Sequence, residues 1–126
     1  MLNLKKSIFS FILLPVASIA TFSISVNAET LKTKNFNVEI TRNCPEGYVT
    51  CNDVTYFGKH LRTGNSISLT GKTIHSRGAD GVTPGRFLGY EFRNSNYRYV
   101  VTQDNHLLVF EGRKLILNEK GTISYR

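Results

Sequence analysis

Over residues 36 to 125 apolar and polar side chains alternate. Val, Ile, Leu, Phe and Tyr occupy every second position of short runs, and turn-forming residues separate the runs at roughly eight to twelve positions. A period of two is the pattern of strands buried on one face, and no stretch keeps the 3.6-residue period of a helix. The alternation predicts strands over 36–42, 48–57, 66–75, 86–93, 97–102, 107–111, 114–118 and 122–125, the third interrupted at Thr70-Gly71.

Turn length fixes which residues of the second half face one another. With Asn94-Ser95 as a two-residue turn, Phe92 pairs with Tyr97, Tyr90 with Tyr99 and Leu88 with Val101, while Glu91 meets Arg98 on the other face. With Asp104-Asn105 as the next turn, Tyr99 meets Phe110, Val101 meets Leu108, and Glu111 gives Arg98 a second carboxylate. A turn at Gly112-Arg113 sets Phe110 against Leu115 and Leu108 against Leu117, and a loop at Glu119-Lys120-Gly121 sets Leu117 against Ile123 and Leu115 against Tyr125. All these hairpins agree on one apolar face, which predicts a C-terminal antiparallel β-meander. With the earlier strands it makes an all-β domain, a small antiparallel β-barrel or a two-layer sandwich, because an open sheet leaves apolar surface and unpaired edges. The expected core is Tyr90, Phe92, Tyr97, Tyr99, Phe110, Leu115 and Leu117. The same register puts Val100, Val109 and Ile116 side by side on the outer face, either under the strand carrying Phe36, Val38 and Ile40 or as a partner-binding patch.

The first 28 residues depart from the alternation. Lys5 and Lys6 precede an apolar run that opens at Ile8, and Val26-Asn27-Ala28 places small residues at the −3 and −1 positions of a cleavage site. This is the layout of a secretory signal peptide, and Pro15 with the serines and threonines behind it favours cleavage over a retained anchor. The expected organisation is a signal over 1–28, a loose polar arm over 29–35 and one domain over 36–126, working in the periplasm or secreted, with no membrane span after cleavage. Cleavage also lowers the net charge from +7 to +5, since the signal carries two lysines and no acid. The remaining basic residues are scattered, so nucleic acid is not an expected partner.

Cys44 and Cys51 bracket the turn residues Pro45-Glu46-Gly47. In an oxidising compartment such a pair is expected as a disulfide closing a short loop. The spacing is not the Cys-x-x-Cys of redox sites, and His60, His75 and His106 show no metal-ligand spacing, so no metal or cofactor is expected. No nucleophile elbow, phosphate loop or pair of free carboxylates organises the remaining polar residues, so an enzyme is not expected; a small hydrolase stays as an alternative. The segment best suited to binding is the connection over 76–86, with Arg77, Asp80 and Arg86 among three glycines and a proline, since long loops on small rigid sheets often carry recognition. The link over 58–64 adds Lys59 and Arg62, expected at the same rim.

Gly85-Arg86-Phe87-Leu88-Gly89-Tyr90-Glu91-Phe92 and Val49-Thr50-Cys51-Asn52-Asp53-Val54 resemble segments of small exported bacterial proteins of uncertain function. In architecture the chain is also similar to the periplasmic lysozyme inhibitors, in its signal, its short antiparallel barrel and its few disulfides. That resemblance implies a protein that inserts a loop into a hydrolase cleft. The inhibitory motif of those proteins has no residue-by-residue match here, and the basic charge is a further departure, because animal lysozymes are themselves basic. The function expected is therefore a non-enzymatic binding protein of the bacterial envelope whose partner is a cell-wall hydrolase or a toxin. The alternative is a module that binds an anionic envelope polysaccharide or lipid, which salt would dissociate far more readily.

Overall fold

Nine antiparallel strands form one curled sheet in the computed structural model, which describes residues 27–125. They are β1 (Asn27–Lys32), β2 (Phe36–Arg42), β3 (Val54–His60), β4 (Ser66–Arg77), β5 (Pro84–Asn94), β6 (Tyr97–Thr102), β7 (His106–Glu111), β8 (Lys114–Lys120) and β9 (Thr122–Tyr125). Their order, β8-β7-β6-β5-β4-β3-β2-β1-β9, is a meander whose last strand returns to the first, which makes a nearly closed barrel. The expected signal lies outside the described residues, except that Asn27 and Ala28 begin β1.

Closure depends on one bend. Lys114 to Tyr125 forms a continuous run whose first part pairs with β7 and whose second part pairs with β1. Gly121 joins the two parts, its amide donating to the Asn105 carbonyl at 2.8 Å, and a Cβ there would stand 2.3 Å from the Lys32 carbonyl oxygen. Only glycine lets the chain pass so close to β1. Beside the bend, the Glu119 carboxylate accepts from the Thr33 hydroxyl at 2.8 Å, the Asn35 side-chain amide at 2.6 Å and the Asn35 backbone at 3.2 Å. β8 is thereby tied to the β1–β2 turn across the seam.

Two expectations are corrected here. The loose arm over 29–35 is strand β1 and its turn, with Leu31 fully buried opposite Val38 and Ile123. The hairpin that was to pair Leu117 with Ile123 and Leu115 with Tyr125 does not form, because β9 finds its partner in β1.

The barrel interior follows the period of two. Val38 and Ile40 of β2, Val54 and Tyr56 of β3, Phe92 of β5, Val101 of β6 and Leu107 of β7 are buried, and the rings of Phe87, Tyr90, Phe92, Tyr56 and Tyr99 form a chain with centroids 5.0–6.4 Å apart. Such contacts add to burial, since tilted and offset rings attract one another. The first hairpin turns at Ser95-Asn96, with Ser95 at φ 56°, so Phe92 pairs with Tyr99 and Tyr90 with Val101. That is a slip of two, which preserves the faces.

The next hairpin slips by one, which exchanges them. Three residues rather than two connect β6 to β7: Asn105 adopts φ 70°, and the Thr102 hydroxyl accepts from the His106 amide. Tyr99 therefore meets Val109, and Val101 meets Leu107. Phe110 and Leu115, expected in the core, stay paired with each other but on the outer face, where the Arg98 guanidinium lies 5.3 Å from the Phe110 ring centroid. Arg98 bonds Glu91 at 2.5 Å, while Glu111 instead accepts from the Tyr97 hydroxyl at 3.5 Å.

Val100, Val109 and Ile116 form no common patch. Val109 belongs to the core cluster, Val100 is buried between Glu91 and Leu108 on the neighbouring strands, and Ile116 is left half-exposed by a bulge in β8. The β2 strand does not lie over them: it sits in the sheet between β1 and β3.

The register has a direct test. Leu107→Ala should cost about 2–5 kcal/mol of unfolding free energy in denaturant titration, and Leu108→Ala under about 1 kcal/mol, whereas the two-residue turn would reverse the order. Glu119→Gln should lower stability by about 1 kcal/mol at neutral pH. Burial opposes ionisation of Glu119, but the bonds from Asn35 and Thr33 outweigh it and hold its pKa below the usual range. The stabilisation is thus complete above the ordinary glutamate pKa and lost as pH falls through the lower folded value, so the variant should lose less stability on acidification than the parent.

Candidate functional site

The long strand β4 separates the sequence-predicted site residues into two groups. Arg77, Asp80 and Arg86 stand at its C-terminal end, around the β4–β5 connection, and Lys59 and Arg62 stand at its other end, around the β3–β4 turn. Twelve residues of strand hold the ends roughly 36 Å apart. The two groups do not share a rim, contrary to the expectation from sequence, because an antiparallel meander puts successive connections at alternate ends.

At the first end, two loops are fixed in place. Cys44 and Cys51 form the expected disulfide, with the buried Cys51 amide donating to the Thr73 hydroxyl at 3.0 Å. The Asn43 amide donates to the Asp53 carbonyl at 2.9 Å across the neck of this loop. Arg42 reaches up from β2 and donates to the Tyr48 and Val49 carbonyls at 3.3 and 3.4 Å. The expected strand over 48–57 thus starts only at Val54; its first four positions belong to the disulfide loop, where the cross-link fixes the chain, and Asn52 and Asp53 lead from it into the strand.

The β4–β5 loop is held by its own aspartate. The Asp80 carboxylate accepts from the Val82 amide at 2.9 Å, the Thr83 amide at 2.7 Å and the Thr83 hydroxyl. The Gly78 amide closes the base on the Thr83 carbonyl at 2.7 Å, and Gly81 takes φ 75° at the tip. Asp80 therefore shapes the loop while remaining exposed. The Thr83 hydroxyl and the Thr83 and Val82 amides lower its pKa to about 2. Thr50 of the disulfide loop lines a shallow cleft of about 430 Å³ with Arg77, Val82 and Thr83, so the two loops adjoin.

What these loops display is apolar. Tyr48, Val49 and Val82 are 63, 65 and 88 % exposed, flanked by Arg77 and Arg86. The reading from sequence identified the arginines and missed Tyr48 and Val49. The available signal was a tyrosine-valine pair inside an eight-residue disulfide loop, too short to bury either side chain.

Glu29 lies inside the same end of the barrel, opposite Ile40 in register. Burial raises its pKa, against the pull of the Arg42 guanidinium and a hydrogen bond with Tyr90. The Tyr90 hydroxyl is pushed up to about 12 by burial and then by the neighbouring Glu29 charge. Among the described residues no His, Cys, Asp and Glu group is placed to hold a metal ion. The His75 ring contacts the Thr73 hydroxyl at 3.0 Å, and His106 contacts Asn118 at 2.8 Å.

Comparison with protein-family models, curated proteins and solved structures gave no match.

The role of Asp80 is measurable. Its lowered pKa means that the clamp is complete above the ordinary aspartate value and lost only as pH falls through about 2. In an NMR titration the Val82 and Thr83 amide shifts should move with a midpoint near that value, and Asp80→Ala should speed their hydrogen exchange at neutral pH, where the parent's clamp is complete.

Proposed function

We propose that the protein is a non-enzymatic binding protein of the bacterial envelope or the secreted fraction, and that it docks a protein partner with the end bearing the two clamped loops. The observation that carries the reading is the outward display of Tyr48, Val49 and Val82 on loops locked by a disulfide and by Asp80. Exposed apolar side chains on a monomer surface mark contact sites when they cluster. Tyrosine is enriched among the residues that dominate interface energies, and a loop already ordered before binding loses little entropy on docking. Arg77 and Arg86 at the margin would pair with acidic groups of the partner. The signal-like N-terminus and the disulfide support a site of action outside the cytoplasm.

A cell-wall hydrolase or a toxin is the most concrete partner, since a projecting rigid loop suits an enzyme cleft. The test is inhibition of a panel of peptidoglycan hydrolases by the mature protein, read as the rate of cell-wall lysis, together with affinity for any enzyme that responds. The Tyr48→Ser, Val49→Ser, Val82→Ser triple variant should keep its melting temperature within a few degrees and bind at least a hundredfold more weakly. Equal binding by the parent and the triple variant would move the interface elsewhere, and failure to inhibit any hydrolase would remove that partner class.

A further inference from the structure

The opposite end of the barrel opens into a cavity of about 340 Å³. Its walls are apolar, with Ile67, Leu107, Val109 and Leu117 facing it from three strands and Phe36 at the lip. At about 30 Å³ for a water-sized unit, it has room for roughly ten methylene-sized groups. Open apolar cavities with a few converging polar atoms, set in the mouth of a β-barrel, are a common form of ligand site.

Two of the polar side chains here can donate into it. Tyr56 enters from β3 with its ring against Gly58, where a Cβ would stand 2.6 Å from the phenol oxygen, so glycine is what leaves the ring this position. Tyr56 is 1 % exposed, yet no described residue hydrogen-bonds its hydroxyl. Among the described residues only His75 Nδ1 is a buried side-chain atom without a partner, so the Tyr56 hydroxyl is reached through the cavity and its proton is available to an acceptor that enters it. Burial, and then the neighbouring Tyr99 phenol, raise its pKa and keep the proton on the oxygen. Nearer the mouth, His60 accepts the Arg62 and Thr63 amides on Nδ1 at 3.2 and 3.3 Å, which leaves the proton of the neutral ring on Nε2.

The rim is cationic. Lys34, Lys59 and Arg62 are exposed within two residues of the lining residues Phe36 and His60, and Arg113 and Lys114 are exposed on the turn and strand start that lead to Ile116. Of the carboxylates on the same elements, Glu111 is exposed and Glu119 is occupied by Thr33 and Asn35. A cavity ringed by one sign of charge favours a ligand of the other.

We propose that this cavity binds a single-chain anionic amphiphile, a carboxylate of about ten carbons, with its chain against Leu107, Val109 and Leu117 and its carboxylate accepting from Tyr56 within the cationic rim. The site is independent of the clamped loops at the far end, so either reading stands without the other. Lys59 and Arg62 thereby serve a different ligand from Arg77 and Arg86.

Calorimetric titration of the mature protein with decanoate, decanol and decyltrimethylammonium, each below its micellar concentration, tests the assignment. Decanoate should bind saturably at one site, at least tenfold more tightly than the other two. Tyr56→Phe, which removes only the hydroxyl, should weaken decanoate about tenfold and leave decyltrimethylammonium within twofold. Ser66→Trp, an exposed position on the lip, should block the mouth and abolish binding with the fold retained by circular dichroism. Should that variant not fold, Tyr56→Phe alone decides. Equal affinity for all three head groups, or unchanged decanoate affinity in Tyr56→Phe, overturns the proposal. So does binding to anionic phospholipid vesicles that survives Ser66→Trp without any decanoate binding, since the rim would then be meeting a membrane surface rather than guarding a cavity.

Discussion

The barrel depends on a seam closed by one bent strand. A meander of eight strands ends with β8 at one edge and β1 near the other, and the chain closes the gap by continuing past Gly121 so that β9 pairs with β1. The three hydrogen bonds on Glu119 hold the two sides together where no ladder runs between them. Without that closure the interior chain of aromatic rings would be one wet face of a flat sheet. With it, Leu31 and Ile123 complete the core from strands that carry little other apolar material.

Closure also explains why the two ends differ. At one end β2, β4 and β6 continue into the disulfide loop, the Asp80 loop and the Thr102–Asn105 turn, which are tied internally and present side chains outward. At the other the connections are tight, β8 pairs with β7 on one side only, and the interior remains reachable through a mouth lined by Phe36 and His60. A small barrel with one capped end and one open end has two surfaces for recognition. The open end is the one proposed for a small ligand, the capped end the one proposed for a protein contact.

Much of this was legible in the alternation. The strands over 36–42, 97–102 and 122–125 coincide with β2, β6 and β9, and the disulfide follows from the cysteine spacing. The failures each have a local cause. Register between β6 and β7 turned on whether the connection held two residues or three, which the Thr102 hydroxyl and the left-handed Asn105 decide, and one residue exchanges Phe110 for Val109 in the core. The polar run over 29–35 looked like an arm because Leu31 is its one large apolar residue, and nothing local announces a strand that is stabilised on both edges by distant partners. The clamp that Asp80 makes on the two amides that follow it is a local turn interaction that the alternation does not carry.

The sequence by itself determined the class of fold, the positions of most strands, the disulfide and the absence of helical period, because these rest on side-chain alternation and residues close in the chain. Tertiary structure alone decided which strand closes the barrel, which face of β7 points inward, that Lys59 and Arg62 lie far from Arg77 and Arg86, and that Tyr56 lines an open cavity. Those depend on pairings between residues up to about ninety positions apart, such as Leu31 with Ile123, and on bends of one residue, which leave no periodic trace along the chain.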